Sequence, residues 1–107
     1  MLYELRIYEI PAGKMKDIND RFANHTTRIW ERMGIRPVGF WENIIGPSNV
    51  LTYMLAWESL AERERKWEIF THDPEWIKVA TETVQNGQIV LKTTNTIMKP
   101  TYYSPMK

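Results

Sequence analysis

The run Asn49-Val50-Leu51-Thr52-Tyr53-Met54-Leu55-Ala56-Trp57 constrains the fold more than any other part of this chain. It is rich in β-branched and aromatic residues, so it reads as a strand. Val50, Thr52, Met54 and Ala56 fall on one face, and Leu51, Tyr53, Leu55 and Trp57 on the other. Both faces are mostly apolar. A strand with one wet face alternates apolar with polar, so this one is expected to be covered on both sides. A layer of helices covers one face of a sheet, and the other needs a different cover.

The remaining elements follow from changes of period and from punctuation. Leu2 to Ile10 alternates loosely and stops at Pro11-Ala12-Gly13, a first strand. From Lys14 to Met33 the apolar spacing becomes helical, with Met15, Ile18, Phe22, His25 and Ile29 on one stripe and Gly34 as a left-handed terminator. Arg36 to Ile45 and Asn49 to Trp57 flank Gly46-Pro47-Ser48, which predicts an antiparallel hairpin. Ser59 with Glu62 forms a capping box that opens a helix through Phe70. Asp73-Pro74 starts a third helix, to about Val84. Gln88 to Lys99 is β-prone again, Pro100 ends it, and Thr101 to Lys107 is expected to be an extended tail.

The order β-α-β-β-α-α-β predicts an α+β, ferredoxin-like domain over residues 1–107, with a four-stranded antiparallel sheet and the helices on one face. The economical cover for the second face of the Asn49–Trp57 strand is another copy of the sheet, so the expected state is a homodimer with sheets packed face to face.

Composition removes several function classes. There is no Cys, which excludes thiol catalysis, zinc fingers and a disulfide scaffold. Fourteen Lys and Arg against thirteen Asp and Glu leave a net charge of +1, which argues against duplex nucleic acid or an anionic membrane as partner. No window has the apolar length of a membrane span, and the N-terminal residues do not form a signal sequence. A cytoplasmic protein is the expectation. No set of residues has metal-ligand spacing, no serine sits in a nucleophile elbow, and no phosphate loop is present.

Spaced fragments of the chain resemble the NIPSNAP family. They are Glu4-Leu5-Arg6-Ile7-Tyr8, Gly13-Lys14, Gly34-Ile35 with Val38-Gly39-Phe40-Trp41, Ile45-Gly46, Leu55 to Arg63, and Asp73-Pro74-Glu75-Trp76. Pro11-Ala12-Gly13 departs from the family's usual Pro-Gly turn. The resemblance implies a dimeric α/β barrel. It implies no agreed reaction and no catalytic set; the wider fold group contains cofactor-free monooxygenases, lactone isomerases and haem-degrading enzymes, and any step from that fold to an activity is analogy.

Individual residues suggest where chemistry would lie. His25, between Phe22 and Ile29 on the helical stripe, is expected to point at the sheet, as a general base, an axial haem ligand, or a hydrogen-bonded core histidine. Arg6 shares a strand face with Glu4 and Tyr8: it either grips a ligand carboxylate bidentately beside the Tyr8 hydroxyl, or pairs internally with Glu4. Five Trp need cover in a core, pocket or interface. Trp67, on a stripe with Leu60 and Phe70, and Trp76 read as core, and Trp41, Tyr53 and Trp57 as pocket lining or packing. Trp30, off the main stripe, reads as a rim or dimer contact. Three functions remain open: a binder of a small aromatic or apolar ligand between helices and sheet, a cofactor-free monooxygenase or isomerase using His25 as base, and a dimeric protein-interaction module. No cofactor is indicated beyond the haem option.

Overall fold

A computed structural model describes residues 1–107. Strand β1 (Leu2–Glu9) pairs antiparallel with β3 (Val50–Trp57) along its whole length, from Leu2 opposite Trp57 to Glu9 opposite Val50. On its other side β1 pairs with β4 (Lys92–Met98), and β3 pairs with β2 (Arg36–Glu42). The sheet order is β2-β3-β1-β4, the ferredoxin-like arrangement, with β1 and β3 in the middle. Glu4, Arg6 and Tyr8 therefore sit in mid-sheet, on the same face as Leu51, Tyr53, Leu55 and Trp57.

That face is covered by helices. The chain from Met15 to Met33 is one rod built of α1 (Met15–Arg21), a π-helical turn (Phe22–Thr26) and α2 (Thr27–Met33). α3 (Leu60–Thr71) and α4 (Pro74–Glu82) complete the layer. Ile18, Phe22, Ile29 and Trp30 from the rod, Phe70 from α3 and Val79 from α4 bury against Leu51, Tyr53, Leu55 and Trp57. The caps are those the sequence predicts. Gly34 is left-handed at φ 77°, and the Ile35 N–H reaches back to the Trp30 carbonyl at 2.9 Å. Ser59 accepts from the Glu62 N–H, and Asp73 from the Trp76 N–H.

The π turn corrects the expected helical stripe. Its residues advance by a smaller angle than α-helical ones, which delays the phase of everything after Phe22. Burial passes from Phe22 to Thr26 and Trp30, and His25 is turned away from the sheet. Trp30, expected at a rim, is 1% exposed and lies in the core. The hydroxyls of Thr26 and Thr27 donate to the carbonyls of Arg21 and Phe22, five residues back, in step with the widened turn.

Other boundaries also shift. β2 ends at Glu42, and Ile44 and Ile45, expected in the strand, stand fully exposed in a loop closed by the Asn43 amide donating to the Pro47 carbonyl. Gln88 to Leu91 precede β4 instead of belonging to it, although Ile89 is core. Leu60, the first residue of α3, is exposed and not part of an inward stripe. The tail turns back at Tyr102-Tyr103 through a Ser104 N–H to Thr101 carbonyl bond, so that Met106 shares a surface cavity with Tyr3 and Met54.

The sheet's other face carries Tyr3, Leu5 and Ile7 of β1, Val50, Thr52 and Met54 of β3, and Trp41 of β2, none covered by a helix. Gly39 makes room for Trp41: a Cβ there would come 2.8 Å from the indole ring. No helix is long and apolar enough to cross a membrane.

Candidate functional site

Alternation along β1 points Glu4, Arg6 and Tyr8 into the layer between sheet and helices. Glu4 is 0% exposed, a position a carboxylate tolerates only when it is paired and hydrogen-bonded. Its Oε1 accepts from Arg63 Nε at 2.7 Å and Trp57 Nε1 at 3.1 Å. Its Oε2 accepts from Arg6 Nη1 at 2.9 Å, Asn95 Nδ2 at 2.9 Å and Arg63 Nη2 at 3.0 Å. Burial works to raise its pKa, but the hydrogen bonds from Arg63 and Asn95 and the charge of Arg6 hold it down at about 2.

Arg6 spends its other side on tyrosine. Its Nε donates to the Tyr53 hydroxyl at 2.6 Å, and Tyr53 is 2.7 Å from the hydroxyl of Tyr8. Burial disfavours the guanidinium, yet Tyr53 and Tyr8 outweigh it and the pKa of Arg6 stands above its ordinary value. Tyr53 is pushed well above the usual phenol value, by burial first and then by Tyr8. With Nε and Nη1 engaged, Arg6 has neither of those donors free for the bidentate grip considered from the sequence.

Above this network lies a cavity of about 190 Å³. Arg6 and Tyr8 form its sheet side, Arg21, Phe22, Thr26 and Trp30 its rod side, and Trp67, Phe70, Thr71 and Trp76 its far wall. The Arg6 guanidinium stacks 4.7 Å from the Trp67 ring centre, and that of Arg21 5.2 Å from Trp76. Two buried donors, Arg21 Nε and Trp30 Nε1, have no hydrogen-bond partner. Arg21 makes one long contact to Thr83 Oγ1, at 3.4 Å, and no ion pair. Burial lowers its pKa, against the pull of Tyr8 and Tyr53. Glu4 is paired with Arg6 and Arg63, whereas Arg21, on the cavity wall, shares its outer side with Asp17, Asp20 and Glu82. The wall bears no histidine, thiol or carboxylate to ligate a metal.

The structure thus brings together Arg6, Tyr8 and Tyr53 from the sequence-predicted set. Trp57 is buried beneath them, bonded to Glu4. Trp41 is on the opposite face of the sheet, 50% exposed, because its register partner is Thr52 and not Tyr53. His25 lines a neighbouring polar depression of about 230 Å³, which shares Arg21 with the cavity and has Lys14, Asp17, Asp20 and Glu82 on its wall. Arg21 and Thr26 were missed: charge off the apparent stripe reads as solvated surface, and only the π turn makes Thr26 an inward residue.

Comparisons with known proteins agree with this fold. The NIPSNAP family profile matches residues 3–105. A protein NipSnap homolog of Dictyostelium discoideum is 29% identical over 86 residues, which is 79% of this chain and 37% of that protein, so the chain spans little over a third of that relative's length. The crystal structure of a NIPSNAP family protein of unknown function from Agrobacterium tumefaciens superimposes with a TM-score of 0.88 at 25% identity, covering 100% of this chain and 94% of that one. A second NIPSNAP family protein from Agrobacterium tumefaciens gives 0.89 at 24% identity over 99% and 98%. More distantly, a putative antibiotic biosynthesis monooxygenase from Nitrosomonas europaea shares the fold, with a TM-score of 0.67 at 10% identity over 95% and 100%. Strand order, helix layer and a match spanning nearly every residue agree: the chain belongs to the NIPSNAP family.

Proposed function

We propose that the chain binds a small, flat organic anion in the cavity between helices and sheet. The observation that carries this is a pair of buried donors without acceptors, Arg21 Nε and Trp30 Nε1, on two residues that line one cavity. Buried donors left unpaired are costly, and an anionic ligand oxygen would satisfy them. A wall that carries the guanidinium groups of Arg6 and Arg21 and no carboxylate favours an anion over a neutral ligand, and its aromatic rings favour a flat one. A volume of about 190 Å³ lies below the range of drug-sized sites, roughly 300–1,000 Å³, which suits a single ring better than a haem. His25, outside this cavity, lends no support to a base-catalysed reaction there.

Calorimetry with benzoate tests the reading. Benzoate is expected to bind, and Arg21→Gln to weaken it by about tenfold, the value of one charge-assisted hydrogen bond. Benzyl alcohol binding as tightly as benzoate would overturn it.

The functional unit in this proposal is a homodimer. Support comes from the uncovered face, where Tyr3, Leu5, Ile7, Val50 and Met54 form an apolar surface of the kind that associates.

A further inference from the structure

The Tyr53–Tyr8 hydrogen bond has a direction that follows from its neighbours. Arg6 Nε can only donate, so the Tyr53 hydroxyl accepts from it at 2.6 Å. Tyr53 is completely buried, and the acceptor for its own proton is the Tyr8 oxygen at 2.7 Å. Were Tyr8 the donor instead, the Tyr53 proton would be buried without a partner. Tyr53 therefore donates to Tyr8, and the Tyr8 proton is left for the cavity that Tyr8 lines. Each link polarises the next, so Tyr8 ends a charge-assisted chain that begins at a guanidinium.

Tyr8 on β1 thus joins Arg21 and Trp30 on the rod as a third donor side chain on one small cavity. Proton acceptors are scarce there. The wall offers only neutral hydroxyl oxygens, those of Thr26 and Thr71, whose own protons go to backbone carbonyls, and the carboxylate of Glu4 is occupied by its own five donors. The charged groups facing the cavity are Arg6 from β1 and Arg21 from α1; α3 and α4 contribute nothing titratable to its wall. A neutral acid entering this site would find only uncharged hydroxyl acceptors for its proton, whereas its ionised form would be met by donors that include two guanidinium groups.

We propose that the site selects the ionised form of a weak acid whose oxygen is carried on a ring or double bond, a phenolate or enolate, and that Tyr8 receives that oxygen at the end of the Arg6–Tyr53–Tyr8 chain. This rests on the cavity being an anion site, and it adds the class of acid and the residue that reads it. Tyr53 is a positioning residue here, acting through Tyr8. Its own phenol, raised by burial, stays protonated and able to donate.

The experiment titrates 4-nitrophenol bound to the dissolved protein, following the visible phenolate band over roughly pH 5–9, a window in which Glu4 stays ionised. The bound probe is expected to ionise at least one pH unit below the free probe, a preference of about tenfold for the phenolate. Tyr8→Phe is expected to remove most of that shift, and Tyr53→Phe, which leaves the Tyr8 hydroxyl but detaches it from Arg6, to reduce it. A bound probe that titrates like the free one overturns the proposal. A shift that survives Tyr8→Phe in folded protein overturns it as well. The wild-type titration decides the first point even where a variant fails to fold. Benzoate measured alongside separates the two readings: benzoate binding with an unshifted nitrophenol sinks only this inference, and failure of both ligands sinks the cavity reading itself.

Discussion

Glu4 receives five hydrogen bonds from four side chains, and that concentration makes it the residue whose charge state stability should report. In the unfolded chain its carboxyl takes up a proton near 4.5, whereas in the folded chain it resists until about 2. Between those values the unfolded state binds more protons, so stability falls as pH falls, by about 3 kcal/mol in all from this one group. Urea unfolding at neutral pH and at several points down to about pH 2 should show that loss. Glu4→Gln should flatten this part of the profile and cost about 3–5 kcal/mol at neutral pH, since it leaves Arg6 and Arg63 without their shared anion. An unchanged acid profile in the variant would assign the pH dependence to other carboxylates. This grouping is legible in the sequence, because a strand's period of two puts Glu4, Arg6 and Tyr8 on one face whatever the rest of the chain does. Arg21 was hidden because its neighbours Tyr8, Trp76 and Thr83 come from three other places in the chain.

The elements divide by how locally they are determined. Gly34, the Ser59–Glu62 pair and Asp73-Pro74 act within a turn of themselves, and each helix terminus they predict is present. Gly34→Ala should cost about 1–2 kcal/mol, the penalty of a side chain in the left-handed region, read as a lowered midpoint in urea. The π turn is not a local signal: Phe22-Ala23-Asn24-His25-Thr26 has ordinary helical composition, and only the packing of Thr26 and Trp30 against the sheet reveals the extra residue. Deleting the exposed Ala23 should restore a plain α-helix, keep the far-ultraviolet helical signal, and rearrange Arg21 relative to Trp30. Benzoate affinity should then fall by about tenfold or more, as expected when a charge-assisted donor is displaced. Full affinity in the deletion variant would show that the turn is not needed for the site. Strand ends were misjudged at Ile44 and Gln88 because apolar residues near a loop read like strand, and pairing, which ends at Glu42 and begins at Lys92, is a property of two chains of backbone at once.

At the scale of the molecule, the doubly apolar β3 still asks for a second cover. Met54 lies between Leu5 and Gly39 near the centre of the uncovered face, half-buried in the single chain. Met54→Lys should leave the helix layer intact and shift the proposed homodimer to monomer, with the mass from light scattering falling by half; a variant that keeps the wild-type mass would place the interface elsewhere. The sheet also sorts the tryptophans. Trp30, Trp57, Trp67 and Trp76 belong to the helix side, while Trp41 alone lies across Gly39 on the open side. Intrinsic fluorescence therefore has two separable sources in this protein. Ligand entering the cavity should perturb the inner four, burial of the open face should blue-shift the outer one, and Trp41→Phe would silence the second signal while leaving the first to be read by itself.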